Sequence, residues 1–488
     1  MIKDKQFYLD LFRTSEQTLE HLTEAALAQG GDYADLFFEN TTYSDLVLRD
    51  GKVSSGGFHV DFGVGIRVLK GEKTGYAYSE STEPGAMAAA ARAAAAIAQG
   101  AQATSGGGVR SIADDNGYVP HLYKGKPNPA ADRYPILQDW RQSEAAAFIP
   151  LMNRLDERIQ AADKRVAKII AMLSWQVSDI LMYNAFGEMK YETRPMGTLA
   201  VSVILTDGKN TVNTHASRSF RCGAEMLTDA LADELVSAAL RNMDDRFAAK
   251  RPKGGKMPVV MGAGASGILL HEAMGHAFEA DFNRKGQSVF AGKMGQRICR
   301  EGITIVDDGT IKGNRGSLNY DDEGVPAQRT CMVEDGILTS YLHDRISARW
   351  YGVAPTGNGR RENFRYAPIP RMRATYMESG SAQPADIIAS VKKGVFVDEF
   401  ANGQVKIGEG DFTFYVKSGY LIENGKLTQP VKDINIIGNG PQALADITAV
   451  GNDGRIDDGA WTCGKQQSCP VSCGIPTVLV ASLTVGGN

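Results

Sequence analysis

The sequence GILLHEAMGHAFEADFNRKG, residues 267–286, is the helical exception in a second half that is otherwise rich in glycine and strand-like runs. It contains His271, Glu272 and His276 in the order H-E-A-M-G-H. The related motif H-E-x-x-H binds zinc through two histidines of one helix, and its glutamate acts as a base. The stretch here has one residue more between its histidines, and that residue decides whether the pair can hold a metal.

The spacing of the two histidines fails on a regular helix. Side chains four residues apart are separated by about 40° around the axis, whereas side chains five apart are separated by about 140°. His271 and His276 are five apart, and Gly275 directly precedes the second. Two local distortions would bring them to one ion: a π-bulge, which adds one residue to a turn, or unwinding at Gly275, where the backbone is permissive.

Neighbouring residues favour a metal site over a chance pair of buried histidines. The apolar run at residues 267–270 predicts that the helix is buried. Glu279 and Asp281 follow closely and are candidates to orient the imidazoles. The alternative for each carboxylate is a solvated helix face or a salt bridge at the helix end.

The cysteines offer a third ligand. The chain has six, too few for a disulfide scaffold in 488 residues. Cys463, Cys469 and Cys473 crowd into the last 26 residues. In a cytosolic protein such a cluster indicates reduced thiols or metal ligands.

Composition excludes several functional classes. The net charge is −4 and no long run of Lys or Arg occurs, which argues against a dedicated nucleic-acid binder. The N-terminus has no uninterrupted apolar core and is not a signal peptide. The longest apolar stretch, Met257–Leu270, is too short and too glycine-rich to span a bilayer. We expect a soluble cytoplasmic protein without a membrane contact.

The first half mixes helices and strands. Apolar residues at helical spacing predict one amphipathic helix over the first thirty residues. Asp50-Gly51 and Lys70-Gly71 predict hairpin turns between strands, and residues 104–111 and 123–135 read as surface loops. The remaining predicted elements are a helix at 84–100, a helical segment at 154–170, strands within 189–209 and a helix at 228–245.

The second half is predicted to consist of hairpins, apart from the helix at residues 267–286 that carries the two histidines. A basic, glycine-bearing stretch near residues 248–258 breaks the periodicity and is the candidate boundary. We predict an α+β fold of two domains. Residues 1–250 form a helix-and-sheet domain, and residues 251–488 form a strand-rich domain that carries the metal-binding helix.

Several segments resemble the TldD/PmbA family of metallopeptidases, and specifically its TldD type. The resemblance covers most of the chain. It is carried by HEAMGHAFEADFNRKGQSVFAGKMG, RRENFRYAPIPRMRATYMESG, QPVKDINIIGNGPQALADITAVGND, CGKQQSCPVSCGIPTVLVASLTVGG, ADLFFENTTYSDLVLRDGKV and GVGIRVLKGEKTGYAYS.

The resemblance implies the extended motif H-E-x-x-x-H, so the extra residue belongs to the family's pattern. It implies that His271 and His276 bind Zn²⁺ and that Glu272 is the general base. It further implies a cysteine ligand from the C-terminal segment, which matches Cys463 in WTCGK. Cys469 and Cys473 lie nearby and leave this position open, although buried small hydrophobes are their ordinary role.

The resemblance also implies substrates and partners. The substrates are unfolded proteins and peptides. The partner is a second copy, giving a homodimer, or a relative of the PmbA or TldE type that lacks the motif. The family is also described as modulators of DNA gyrase, but the charge balance gives no independent support for DNA contact.

A peptidase also needs an oxyanion donor and a substrate groove. Tyr341, His343, Arg360 and Arg361 are candidate donors, with structural or paired roles as the alternative for each. The strands of the second half suggest that an extended peptide adds to a sheet edge there.

Three rival functions remain. The first is a non-catalytic regulatory or chaperone-like protein with a structural zinc bound by the cysteine cluster. Glu272 beside the first histidine argues against it, because a structural site has no use for a base. The others are a cysteine hydrolase built on Cys463 and a DNA-associated regulator, and neither has local support.

Overall fold

The computed structural model describes residues 3–100, 133–134 and 136–486. The fold is α+β, as predicted. The loops predicted at 104–111 and 123–135 lie outside the described residues, apart from Arg133 and Tyr134. No described helix is both long and apolar enough to cross a membrane.

The first half forms one antiparallel six-stranded sheet with helices against it, in the strand order β3-β2-β1-β4-β5-β6. The strands are β1 Tyr33–Arg49, β2 Lys52–Lys70, β3 Lys73–Ser79, β4 Val166–Asn184, β5 Met189–Thr206 and β6 Thr211–Phe220. The helices are α1 Lys5–Leu11, α2 Glu16–Leu27, α3 Pro84–Gly100, α4 Ile149–Ala162, α5 Asp229–Ala239 and α6 Met243–Ala248.

Two apolar clusters hold these helices to the sheet. One packs α1, α2 and α3 against β1 and β2, and the other packs α4 and α5 against β4 and β5. The turn between β1 and β2 is Asp50-Gly51, where both residues have positive φ, of 48° and 72°. This is the left-handed geometry that Asp-Gly favours in tight hairpins.

Three helix predictions need correction. The first thirty residues form two helices, because Ser15 accepts a hydrogen bond from the Thr18 N–H and starts α2 afresh. The segment at 154–170 is helical only to Ala162, since Val166 already begins β4. The helix predicted at 228–245 is also two, α5 and α6, with Asn242 in a left-handed conformation between them.

The second half contains the other sheets. Its strands are β7 Gly255–Met261, β8 Ile305–Asp308, β9 Arg329–Glu334, β10 Ile337–Leu338, β11 Gly359–Arg360, β12 Ile369–Pro370, β13 Ala374–Met377, β14 Lys393–Val405, β15 Asp411–Glu423, β16 Lys426–Val431, β17 Ile434–Asn439, β18 Ile447–Val450, β19 Arg455–Asp457, β20 Thr462–Lys465, β21 Gln467–Pro470, β22 Ser472–Ile475 and β23 Val478–Gly486. Its helices are α7 Ile268–Leu270, α8 Ala280–Arg284, α9 Arg345–Tyr351, α10 Pro384–Ala389 and α11 Gly440–Ala445.

One large sheet carries the order β14-β7-β23-β17-β15-β16, and a second carries β10-β9-β8-β13-β22-β19. A single apolar cluster joins these sheets to the histidine helix. Strands β20 and β21 form a separate hairpin in which Cys463 lies directly opposite Cys469.

Buried ion pairs connect the first sheet to the second half. Arg67 on β2 contacts Asp35 on β1, and its Nη1 lies 2.7 Å from Glu323 Oε1. Arg194 on β5 pairs with Asp322 through Nη1 and Oδ1, 2.5 Å apart. These side chains are almost fully buried, so removing one partner would leave a charge without compensation. The domain boundary near residue 250 stays a prediction.

Candidate metal centre

The helix that carries the two histidines accommodates its extra residue as a π-type turn over His271–Gly275. A single 3₁₀ turn, His276–Phe278, follows directly. The two imidazole rings lie close together, with centroids 5.1 Å apart and planes at 81°. Of the two distortions that the sequence left open, the structure contains the π turn.

Gly275 is needed for its missing side chain and not for its backbone freedom. Its φ of −56° and ψ of −49° are ordinary right-handed helical values. A Cβ built on Gly275 would lie 2.1 Å from Met372 Sδ and 3.0 Å from Met372 Cε. The alternative of unwinding at Gly275 is therefore excluded, and the glycine instead allows the helix to pack directly on Met372.

The structure brings Cys463 to the histidine pair from the β20–β21 hairpin. Its Sγ lies 3.3 Å from His276 Nε2. One donor atom from each of His271, His276 and Cys463 falls within 4.8 Å of the other two, and all three residues are buried. Sulfur and nitrogen ligands at ordinary zinc bond lengths are about 3.6 Å apart in a tetrahedral site. The donor set therefore fits one zinc ion.

The three C-terminal cysteines differ in how readily they form a thiolate. Burial opposes ionisation of Cys463, but the facing His271 and His276 lower the pKa of its thiol to about 4. Burial raises the pKa of Cys469 and of Cys473. Because the thiolate is the metal-binding form, Cys463 is the best suited of the three.

A buried charge cluster supports His276. Its Nδ1 lies 2.9 Å from Glu279 Oε2, which leaves Nε2 facing Cys463. Burial alone would raise the pKa of Glu279, but Lys465, His276 and Arg371 lower it to about 2. Burial likewise disfavours the charged imidazole, yet Glu279 and Cys463 raise the pKa of His276 to about 10. The predicted orienting role of Glu279 matches this contact, whereas Asp281 contacts Lys465.

Glu272 differs from its two histidine neighbours because it is partly exposed. Its charge also acts on Cys473 of β22. Besides burial, the charges of Asp457 on β19 and of Glu272 contribute to the raised pKa of Cys473. Glu272 is thus the acidic group of the π turn that can meet solvent.

A cleft of about 1430 Å³ adjoins this centre. It separates the edge strand β6 from β14 and β15. The metal-site residues do not line it, but Asp457 and Trp461 do, and the latter precedes Cys463 by two positions. The Trp461 indole Nε1 donates to Asp457 Oδ1 over 2.7 Å. An unpaired strand edge therefore borders a wide cleft that reaches the neighbourhood of the ligands.

Three of the four other predicted donors make side-chain hydrogen bonds within the structure, whereas His343 Nδ1 has no partner among the described residues. The Tyr341 hydroxyl donates to the Phe290 carbonyl over 2.6 Å within the core. His343 is buried, and burial lowers its pKa to about 4. Arg360 donates to two backbone carbonyls, and Arg361 donates to the carbonyl of Asp322. These contacts are the paired roles that the sequence left as the alternative.

Two residues near the ligands were missed from the sequence. Arg371 donates from Nη2 to the Cys463 carbonyl, over 2.6 Å, and from Nη1 to the Gln467 carbonyl, over 2.7 Å. Lys465 lies 3.0 Å from Glu279. The sequence does contain a signal for Lys465, because it follows Cys463 by two positions on β20 and residues two apart on a strand point to the same face.

Most of this chain is similar to proteins of one known family. Residues 254–487 match the model of the PmbA/TldA metallopeptidase C-terminal domain, and residues 34–98 match PmbA/TldA metallopeptidase domain 1. The chain is 39% identical to a metalloprotease TldD homologue of Haemophilus influenzae, over 97% of each chain. It is 32% identical to a zinc metalloprotease TldD homologue of Saccharolobus solfataricus, over 59% of this chain and 65% of that protein.

A solved structure shares the fold. TldE from Thermococcus kodakarensis superimposes with a TM-score of 0.70 at 19% identity, covering 96% of this chain and all (100%) of that one. The Haemophilus influenzae relative spans nearly the whole chain, and the segment that matches the C-terminal family model contains both histidines and Cys463. The chain belongs to the TldD/PmbA family of metallopeptidases.

Proposed function

We propose that this chain is a zinc-dependent peptidase that hydrolyses peptide bonds in unfolded proteins or peptides. The observation that carries the proposal is the convergence of donor atoms from His271, His276 and Cys463 within 4.8 Å. Two imidazoles and one thiolate suit zinc. Three protein ligands also leave a coordination position open, as catalytic zinc sites do. A relative named as a zinc metalloprotease supports the choice of metal.

The catalytic roles divide between the ion and Glu272. Zinc in such a site acts as a Lewis acid toward water and the scissile carbonyl. Glu272 takes the proton of the attacking water and delivers it to the leaving amine. Its partial exposure supports this role, since a base must reach both solvent and substrate.

The cleft beside β6 supports an extended substrate. A peptide that adds to a strand edge gains main-chain hydrogen bonds without a strict requirement for sequence. The edge strand β6 of the first sheet lines the cleft from Thr211 to Arg218, so we place the peptide on β6 and not on an edge of the second half. A folded protein keeps most of its backbone in its own hydrogen bonds, which favours unfolded chains as substrates.

The alternative is a regulatory or chaperone-like protein with a structural zinc. Such sites are closed by four protein ligands. Within the described residues, three donors converge here. Cys469 lies on β21, the other strand of the hairpin, and its Sγ is 3.5 Å from Arg371 Nη1. The donor count therefore favours the catalytic proposal.

We also propose that the chain pairs with a second copy or with a PmbA/TldE-type relative in the cytoplasm. The outer half of β2 supports a partner, because Val53, Phe58 and Val60 are exposed there and β2 itself has no Lys, Arg, Asp or Glu from Val53 to Val60. The six cysteines are free, and Cys463 remains unbridged although Cys469 is its cross-strand neighbour. Free thiols suit a reducing compartment.

The test is metal content together with cleavage of an unstructured substrate. Purified chain should carry about one zinc, and casein cleavage should stop with chelator and in Glu272→Gln, which retains zinc. The assay is run with the chain alone and with its co-purified relative. Cleavage that persists in Glu272→Gln, or equal cleavage of a folded protein and its denatured form, contradicts the proposal.

A further inference from the structure

Two segments far apart in sequence supply the metal ligands, and a second connection joins them beside the donor atoms. His276 and Glu279 lie on one side, and Cys463 and Lys465 lie on the other. Lys465 Nζ is 3.0 Å from Glu279 Oε2, the same oxygen that contacts His276 Nδ1 at 2.9 Å. The ammonium group therefore reaches the outer edge of a metal-ligating imidazole through one carboxylate.

The strand that carries Cys463 determines this geometry. In β20, Cys463 and Lys465 are buried, whereas Thr462 and Gly464 are exposed. Residues two apart on a strand point to the same face. The thiol and the ammonium thus face the histidine segment together, so the ion pair of Lys465 with Glu279 runs alongside the contact of Cys463 with His276.

Lys465 is held on several sides. Its Nζ contacts Asp281 Oδ1 at 2.7 Å and the Pro370 carbonyl at 3.2 Å. It also lies 4.3 Å from the centre of the Phe282 ring. Its side chain is 4% exposed and that of Glu279 is 0% exposed, so water contributes little to this ion pair. Such enclosure fixes the ammonium in one place.

Lys465 is the closer of two cations that face Glu279. The other carboxylate oxygen, Oε1, has no hydrogen-bond partner among the described residues, and the cation on that side is Arg371, whose Nε lies 4.0 Å away. The two terminal nitrogens of Arg371 donate hydrogen bonds to the carbonyls of Cys463 and Gln467, which hold its guanidinium in place. Without Lys465, the buried Glu279 carboxylate would keep only the more distant Arg371 as a cationic neighbour, and losing the close partner of a buried ion pair is strongly unfavourable.

We propose that Lys465 is a positioning residue of the metal centre, which fixes the His276 imidazole through Glu279 and holds the Cys463 strand at the distance that one ion requires. This inference rests on the proposed zinc function. It assigns to Lys465 no contact with substrate. Its effect is on the affinity and geometry of the metal site.

The experiment measures zinc affinity by competition with a chromogenic chelator, and coordination geometry by the absorption spectrum of the cobalt(II)-loaded chain. Lys465→Met should weaken zinc binding by about 10- to 100-fold, the usual effect of losing a partner of a ligand. It should also change the cobalt spectrum. Lys3→Met, which removes an ammonium 3.4 Å from the buried Asp179 in the first sheet, should leave both unchanged.

A second variant separates positioning from folding. Glu279→Gln keeps an acceptor for His276 Nδ1 but removes the charge that Lys465 neutralises. In that background Lys465→Met should cost little further affinity, so the double variant should bind zinc more tightly than Lys465→Met alone. A merely structural lysine would show no such rescue.

The outcomes are distinguishable. Unchanged zinc affinity in Lys465→Met overturns the inference and leaves the proposed function standing. A loss that Glu279→Gln does not relieve also overturns it, because Lys465 would then act through the fold alone. A wild-type chain that binds no zinc overturns the proposed function and this inference together.

Discussion

Replacing Gly275 by Ala tests the packing of the metal-binding helix. The new Cβ would meet Met372 Sδ at 2.1 Å, whereas carbon and sulfur in ordinary contact are about 3.5–4.0 Å apart. The helix or Met372 must therefore move by about 1.5 Å. Met372 is fully buried, so the thioether has little room to yield.

The magnitude follows from two opposing terms. Overpacking of a filled core costs about 1–3 kcal/mol. The change from Gly to Ala within a helix stabilises that helix by up to about 1 kcal/mol. The cost of overpacking is the larger of the two, so we expect the free energy of unfolding to fall by about 1–2 kcal/mol. A unit of roughly 150–250 residues loses about 2–4 °C in Tm for each kcal/mol. Zinc content should fall with it, since both histidines flank the displaced turn.

The assay is thermal unfolding with zinc analysis, and Gly85→Ala is the matched control. Gly85 lies near the start of α3, where an added Cβ meets nothing within 4 Å, so that variant should be neutral or more stable. In a Met372→Ala background, Gly275→Ala should cost less than it does in the wild type. If Gly275→Ala instead raised Tm as Gly85→Ala does and retained full zinc, the packing argument would be refuted.

Three further predictions concern the ligands, pH and the buried ion pairs. Cys463→Ser should lose most of its zinc while Cys469→Ser retains it, as measured by mass spectrometry; equal loss in both would reassign the ligand. Burial raises the pKa of Glu39 to about 7, so the folded state resists its ionisation and stability should fall as pH rises from about 4.5 to 7. Glu39→Gln should flatten that decline in pH-dependent unfolding, and an unchanged slope would exclude Glu39 as its source. Arg67→Met should destabilise the chain by about 3–5 kcal/mol because it leaves buried carboxylates unpaired. Lys406→Met, at an exposed pair, should change stability by less than about 1 kcal/mol in the same melts, and comparable effects would contradict the argument from burial.

Local patterns predicted the features that depend on neighbouring residues. The Asp50-Gly51 turn and the helix over residues 84–100 follow from backbone preferences within a few positions, and the structure contains both. The demand for a distorted turn between His271 and His276 was equally local, because it follows from helix geometry alone. These parts of the fold could be read from the sequence.

Features that depend on contacts between distant parts of the chain could not be predicted from the sequence. The sequence could not show why residue 275 lacks a side chain, because Met372 approaches it from nearly a hundred residues further along the chain. The partnership of Lys465 with Glu279 was missed for the same reason. The break at Ser15 was local, but the apolar spacing continued across it and concealed the new helix start. Spacing within a segment shows which face is buried, and not what lies against it.

The distance along the chain between the metal ligands has a consequence for synthesis. A growing chain displays His271 and His276 long before the ribosome reaches Cys463, 187 residues beyond the second histidine. The strand β23, which lies between β7 and β17, is made later still, after Cys463. A nascent or prematurely terminated chain would therefore hold an incomplete donor set. On the proposed function, a nascent chain cannot hydrolyse peptides before Cys463 has been synthesised, because the donor set is complete only from that point.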